Sequence, residues 1–205
     1  MPKREAPLNH LENYLPQGSA ARIYEYLHTY KVHLTITRMR RSVLGDYRHA
    51  TGKDHHRISV NGSLNKYAFL ITLIHELGHL ITFQQYGNRV LSHGKEWKLA
   101  YRHVLEDFIR LNLFPQDILH TLRQSLHDLP ASSCSDVNLT RVLKKYDADN
   151  SVLLVEDIAE GTLFKTPDGR IFKRGRQIRK RIECAEVRTG KIYLFSPVYE
   201  VKPAG

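Results

Sequence analysis

Apolar residues recur every three or four positions along much of the first three-quarters of the chain. The spacing is clearest in four segments, residues 20–30, 65–86, 116–129 and 137–146. A fifth helix is predicted to begin between Ser92 and Glu96 and to continue through Leu111, before Pro115 breaks the pattern. Because an amphipathic helix buries its apolar stripe, these segments predict several helices packed on a common core.

Two segments alternate apolar and polar residues instead. Residues 32–37 and 57–61 have this period of two, which is typical of half-buried strands. Residues 44–47 contain Gly and Asp and are predicted to form a turn between the two strands. A small sheet is therefore expected beside the helices.

The pattern changes after Asp147. Short alternating runs follow, separated by 167–169 and 189–190, whose Pro, Asp and Gly residues are typical of hairpin turns. The predicted fold class is α+β, with one domain over residues 1–147 and a small all-β module over residues 148–205.

The composition fits a globular chain, with 41% apolar and 25% charged residues. The most apolar run covers only residues 69–74, far short of the ~18 residues that span a bilayer, so no membrane role is expected. The first residues contain no apolar targeting segment, and the only cysteines, Cys134 and Cys184, give no disulfide framework. We therefore expect a cytoplasmic protein.

The predicted helix 65–86 contains His75-Glu76-Leu77-Gly78-His79, an HExxH sequence. Two imidazoles one helical turn apart can hold one Zn²⁺, and the glutamate beside them can act on the water that the metal activates. With Thr72 and Thr82 these polar residues form one narrow stripe on an otherwise apolar helix. Burying them is costly unless they are paired or bind a metal, so the stripe predicts a zinc site with Glu76 as catalytic base.

A catalytic zinc normally has three protein ligands and one open position. His93 lies fourteen residues after His79, beyond a predicted turn and near a helix start, from which its side chain can point back to the first helix. Glu96 and His103, further along that helix, are the alternative third ligands. His93 is the residue we expect to complete the site.

These residues resemble a known family. The HExxH sequence followed by His93-Gly94-x-x-Trp97, with residues 44–48 and 58–61 upstream, is similar to the SprT-like metalloproteases, relatives of the eukaryotic DNA-dependent protease Spartan. The resemblance covers about residues 20–111 and implies a zincin-like fold. It also implies zinc bound by His75, His79 and His93, with Glu76 as the base.

Many members of that family end in a zinc ribbon with two Cys-x-x-Cys knuckles. Residues 164–167 and 195–198 stand where the knuckles are expected and contain no cysteine. Because Cys184 alone cannot hold a structural ion, we expect a metal-free, ribbon-like module with an aromatic core, and one Zn²⁺ per chain.

The distribution of charged residues predicts a polyanionic partner. The chain carries 31 basic and 21 acidic residues, a net charge of +10, and residues 161–205 hold eleven Lys or Arg against four Asp or Glu. This +7 excess predicts that the module attracts a polyanion such as DNA.

The expected function is zinc-dependent hydrolysis of peptide bonds in proteins associated with DNA. The alternatives are a non-catalytic nucleic-acid-binding protein with structural zinc, and a zinc hydrolase of small amides.

Overall fold

The computed structural model describes residues 8–38, 43–52, 54–126, 136–149 and 151–204, in two compact units, Met1–Tyr146 and Asp147–Gly205. The architecture is α+β, as predicted, and the second unit consists of strands and turns apart from a short 3₁₀ segment. Cys134, His127 and the predicted end of the helix 116–129 lie outside the described residues. No helix in the described part of the chain combines the length and apolarity needed to cross a membrane.

The first unit begins with a 3₁₀ segment, Leu8–Tyr14, that the hydrophobic pattern did not indicate. Its helices and strands follow in the order α1 (Ala20–Thr29), β1 (Val32–Thr37), β2 (Gly45–Arg48), β3 (His56–Asn61), α2 (Lys66–Tyr86), α3 (Lys95–Arg110), α4 (Gln116–Ser125) and α5 (Val137–Lys144). The predicted helices and the two predicted strands are therefore present, with ends that differ by a few residues.

The three strands form one sheet with β3 in the centre. β1 runs parallel to β3, from the pair Val32–His56 to the pair Thr37–Asn61. β2 is an antiparallel edge strand, in which Gly45 lies opposite Val60. The prediction of a turn at residues 44–47 is therefore wrong. Gly and Asp disfavour strands locally, but the glycine lets β2 lie close against α2, and the ladder to β3 fixes the backbone.

α2 is the central helix of the first unit. The Asn65 side chain caps it by accepting a hydrogen bond of 2.9 Å from the Ala68 N–H, and the helix ends at Tyr86, before Gly87 with its positive φ of 59°. Thirteen of its residues are buried, because the sheet contacts one side and α3 the other. Polar groups at its middle therefore lie in the interior.

Gly78 lets α3 pack closely on α2. A Cβ at this position would lie 3.1 Å from the Cβ of Tyr101 and 3.2 Å from Nε1 of Trp97. α3 begins at Lys95, within the predicted interval between Ser92 and Glu96, with Gly94 at the N-cap and no side-chain cap. His93 consequently lies on the connection just ahead of α3.

The second unit contains one six-stranded sheet. Its strands are β4 (Leu153–Leu154), β5 (Leu163–Lys165), β6 (Ile171–Ile178), β7 (Arg181–Glu186), β8 (Ile192–Phe195) and β9 (Glu200–Pro203), arranged in the order β4-β9-β5-β6-β7-β8. The two predicted hairpin turns are confirmed, since residues 167–169 lie between the paired strands β5 and β6 and residues 189–190 between β7 and β8.

Aromatic rings fill the core of this unit. Phe164 and Phe172 are completely buried, with ring centroids 5.8 Å apart, and Phe195 lies 4.9 Å from Phe172. Ile182 and Cys184 complete the buried face of β7. Burial raises the pKa of the Cys184 thiol, which lies among these apolar groups. The expected aromatic core is confirmed.

Candidate metal centre

Three histidines converge beside the middle of α2. Nε2 of His75 lies 3.2 Å from Nε2 of His79 and 3.4 Å from Nε2 of His93. The first two histidines are one helical turn apart, and the third reaches them from the connection before α3. Among the described residues these three form the group of His, Cys, Asp or Glu side chains that could hold a metal, with ligand atoms all within 4.8 Å.

The spacing fits a tetrahedral ion. Two nitrogens that each lie about 2.1 Å from a tetrahedral zinc are about 3.4 Å apart, which agrees with the 3.2 and 3.4 Å separations. Without a cation, the lone pairs of neighbouring neutral rings would repel unless one ring turned a proton inward. The donor set therefore suits a divalent metal with a preference for imidazole.

The protonation state also suits a metal. Burial, with the neighbouring imidazoles, lowers the pKa of His75 to about 3 and that of His79 to about 4, and burial lowers the pKa of His93 as well. At neutral pH all three rings are therefore neutral, and neutral imidazole is the form that binds metals.

An aromatic wall holds the three rings. The buried indole of Trp97 has ring centroids 4.7 Å from His75, 4.8 Å from His93 and 5.3 Å from His79, and it stacks on Tyr101 at 5.0 Å. Nδ1 of His75 and Nε1 of Trp97 are buried without a hydrogen-bond partner in the described structure. Aromatic packing, rather than a second hydrogen bond, therefore sets the orientation of His75.

Glu76 is buried next to the first histidine and faces the edge strand β2. Gly45 lies so close that a Cβ there would be 2.5 Å from Oε1 of Glu76 and 2.7 Å from Cγ2 of Thr72. The glycine therefore makes room for the carboxylate, and its backbone limits where the carboxylate can lie. The strand that the sequence analysis missed is thus part of the wall of the site.

Tyr47 of β2 packs beside the histidines. The ring of Tyr47 is parallel to that of His79 within 6°, at 6.5 Å between centroids, and its hydroxyl lies 2.9 Å from Nδ1 of His56. The Ala50 N–H also donates to this Nδ1, so the nitrogen is an acceptor and the tyrosine hydroxyl donates. Nε2 of His56 then carries the proton, and the Gln84 amide lies 2.8 Å from it.

The structure corrects one expectation about these histidines. Adjacent histidines in a His-rich chain, such as His55 and His56, are expected at the surface, but His56 is buried and bonded to Tyr47 and Gln84. The signal that could have revealed it is the alternation in β3, which places His56 on the same face as Ile58 and Val60.

The alternative third ligands lie elsewhere. His103 is exposed on α3, and neither it nor Glu96 belongs to the metal-compatible cluster found in the described part of the chain. Oε2 of Glu96 would lie 3.2 Å from a Cβ at Gly94, which places its carboxylate at the start of its own helix. A negative charge is stabilised there by the helix dipole.

Residues 10–119 match the SprT-like family over more than half of the chain. This chain belongs to the SprT-like family. The matched region contains α2, β2 and the connection that carries His93, so the described centre lies within the family domain.

The relatives with curated names are similar over a shorter region. The protein called Protein SprT from Pseudomonas fluorescens is 42% identical over 50 residues, 24% of this chain and 26% of the relative. Protein SprT from Pseudomonas putida is 46% identical over 35 residues, 17% of this chain and 21% of the relative. The matches thus span about a quarter of the length of these relatives. No solved structure matches this chain.

Proposed function

We propose that this SprT-like chain is a zinc metallopeptidase that hydrolyses peptide bonds with water. The observation that carries the proposal is the convergence of His75, His79 and His93 beside the buried carboxylate of Glu76. Three imidazole ligands leave one position of a tetrahedral zinc open for water, which is the arrangement of catalytic rather than structural zinc sites.

The residues have separate roles. A zinc ion bound there would supply a Lewis acid that makes a bound water acidic near neutral pH. His75, His79 and His93 would hold it as neutral rings, fixed by Trp97. Glu76 would accept the proton of the attacking water and later pass it to the leaving amine.

The surroundings of Glu76 support this role. β2 confines the carboxylate on one side through Gly45, and Tyr47 packs beside His79 with its hydroxyl committed to His56. Burial raises the pKa of Tyr47, so it remains a neutral donor. We therefore assign proton transfer to Glu76 and a positioning role to Tyr47.

The test compares Glu76→Gln with the matched variant Glu96→Gln. Glutamine is nearly isosteric but cannot accept the proton, so Glu76→Gln should retain one zinc per chain and lose at least about 100-fold in casein cleavage. Glu96→Gln changes a glutamate outside the cluster and should cleave as the wild type does. A Glu76→Gln protein that cleaves casein at full rate would overturn the proposal.

Two other functions would give different results in the same experiment. A non-catalytic protein with structural zinc would bind the metal and cleave neither casein nor small amides. A hydrolase of small amides would cleave an amide such as an acyl-p-nitroanilide, in a Glu76-dependent manner, and leave casein intact. Cleavage of casein would therefore separate the peptidase from both.

We further propose DNA as a partner, which would direct the peptidase to proteins on DNA. Exposed cations lie at the turn between β6 and β7, namely Arg176, Arg179, Lys180 and Arg181. The aromatic rings of this unit are mostly in its core, so phosphate contacts rather than base stacking should dominate. Arg174 is half-buried and pairs with Glu160 at 3.7 Å, so it contributes less.

Duplex binding tests this partner. The triple variant of Arg179, Lys180 and Arg181 to Ala should weaken binding of an unspecific duplex about tenfold or more at 50 mM salt, and should flatten the dependence on salt. The double variant Lys165→Ala, Lys202→Ala, on other strands, is the matched control. Salt-insensitive binding, or equal binding by the triple variant, would show that these cations are only solvated.

A further inference from the structure

β8 is an edge strand whose backbone has an unpaired side. It is the last strand of the six-stranded sheet, and the Glu186 N–H donates to the Lys191 carbonyl at 2.9 Å across the β7–β8 hairpin. Hydrogen-bonded positions alternate in an antiparallel pair, so Tyr193 and Phe195 also bond to β7. The N–H and C=O groups of Ile192 and Leu194 therefore point away from the sheet.

The pairing between β7 and β6 leads to the same conclusion about the backbone of β8. The Val187 N–H donates to the Ile171 carbonyl at 2.9 Å, so odd-numbered residues of β7 bond to β6 and even-numbered residues bond to β8. In the part of the chain that the structure describes, no loop bonds to the backbone of Ile192 or Leu194. Four backbone groups are thus available along a strand without Pro or charge.

Apolar side chains accompany this open backbone. Ile192 and Leu194 are 57% and 58% exposed, and Val187, in the turn directly after β7, is 55% exposed. The aromatic residues of β8, Tyr193 and Phe195, point to the opposite face and pack on the core. An exposed apolar edge, even one of four residues, is a site for pairing with another strand, which would cover both the backbone and the aliphatic side chains.

Cations stand at both ends of the edge. Arg188 and Lys191 are exposed before β8 begins, and Arg181 is exposed beside its other end, where Ile182 pairs with Phe195. Among the described residues none of these three forms an ion pair with a carboxylate. One acidic side chain, Glu183, lies opposite Leu194, so the surroundings of the edge remain positive.

We propose that the edge of β8 binds an extended segment of another protein, with aliphatic residues at its centre and acidic residues at its ends. The open N–H and C=O groups would pair with its backbone, Ile192 and Leu194 would contact its aliphatic side chains, and the cations would contact its carboxylates. A second copy of this chain would bring the same cations together and be repelled. Nucleic acid has no backbone groups that extend a β-ladder and no use for the aliphatic side chains.

Binding of a labelled peptide, EEVTVEE, to the full chain tests this proposal by fluorescence anisotropy. We expect the acidic peptide to bind at least tenfold more tightly than KKVTVKK, and a version with alternate backbone nitrogens methylated to bind more weakly. Leu194→Pro removes an outward N–H without removing a bond to β7, so it should weaken binding at least tenfold at unchanged circular dichroism. Leu194→Glu, which keeps the N–H and repels the peptide, provides a second variant.

Leu163→Thr is the matched control, because Leu163 is exposed on the same face but lies on β5, away from the edge. It should bind the peptide as the wild type does. Equal binding by wild type and both Leu194 variants, or no binding of the acidic peptide, would overturn the proposal. So would self-association lost in Leu194→Pro, which would assign the edge to a second copy, or duplex DNA binding lost in Leu194→Pro, which would assign it to nucleic acid.

Discussion

In the second unit, two side chains that are classed as polar are buried among the described residues. Each of them forms hydrogen bonds within its own hairpin turn. The Thr166 hydroxyl donates to the Arg170 carbonyl at 3.0 Å, and Glu186 accepts a hydrogen bond from the Thr189 hydroxyl. At the histidine cluster of the first unit, buried polar groups converge from different segments instead. His75 and His93 are eighteen residues apart, and Nδ1 of His75 has no partner within the described structure.

This difference separates structural from functional burial of polar groups. A polar side chain satisfied by its own turn costs little and stabilises that turn. Neutral imidazoles that face one another gain little from folding alone, which supports the proposed metal as the reason for their burial. The second unit has a core of aromatic rings, whereas the first has a larger apolar core with the three histidines buried or half-buried beside it.

The largest expected effect of a single substitution is on the aromatic core. Phe172 is fully buried and contacts Phe164, Tyr193 and Phe195, so Phe172→Ala should lower the free energy of unfolding of this unit by about 3–5 kcal/mol. Denaturant unfolding measures the change, with exposed Ile192→Ala, expected within about 0.5 kcal/mol, as the control. Zinc content should stay the same, since the two cores share no residue. Loss of zinc would show that the metal site depends on the core of the second unit, contrary to the comparison of the two units.

Acid should destabilise the metal-free first unit. Burial holds the pKa of His75 at about 3 and that of His79 at about 4, below the usual 6.5. Below pH 6.5 the unfolded chain takes up protons that the folded rings do not, so the free energy of unfolding falls as the pH drops from about 6.5 towards 4. The slope reaches about 1.4 kcal/mol per pH unit for each histidine.

Thermal unfolding of the zinc-free protein across this range measures that dependence. The double variant His75→Gln, His79→Gln removes both groups and should show a flatter profile. If the variant and the wild type have the same slope, the buried histidines are not the source of the acid sensitivity.

Gly45→Ala should impair chemistry while leaving the metal in place. The new Cβ would lie 2.5 Å from Oε1 of Glu76, so the carboxylate must move, and we expect kcat to fall about 100-fold. At Gly52 a Cβ would meet nothing within 4 Å, so Gly52→Ala is the control for a glycine substitution without a steric clash. Because the φ of Gly52 is positive, at 63°, alanine is strained there and we expect a modest loss of stability. Full activity of Gly45→Ala would show that β2 does not confine the base.

The smallest effect is expected at the aromatic wall. Trp97→Phe shortens the ring that contacts all three histidines and should weaken zinc binding about tenfold, measured by competition with a chelator. Phe108→Leu changes another buried aromatic residue of α3 and should reduce stability without changing the affinity for zinc. Trp97 is the only tryptophan of the chain, so quenching of its fluorescence should measure Co²⁺ binding to the wild type.

Patterns along single segments account for what could be predicted. The helical period located α2 and its polar stripe, and one turn of helix brings His75 and His79 to the same face whatever the rest of the chain does. The turn residues at 167–169 and 189–190 predicted two hairpins for an equally local reason, because their backbone conformations favour reversal. Reach from the start of the next helix favoured His93 over Glu96 and His103, and the family resemblance implied the same residue.

Contacts between distant segments account for the rest. The sequence by itself determined the helix, the histidine pair on one of its faces and the basic, aromatic character of the tail. Only the tertiary structure decided that Gly45 lies against Glu76, that Tyr47 links His79 to His56, and that Ile192 and Leu194 face outward from the sheet. These features depend on strand order, register and helix packing, which are set by the sum of many weak contacts across the core and leave no period in the sequence.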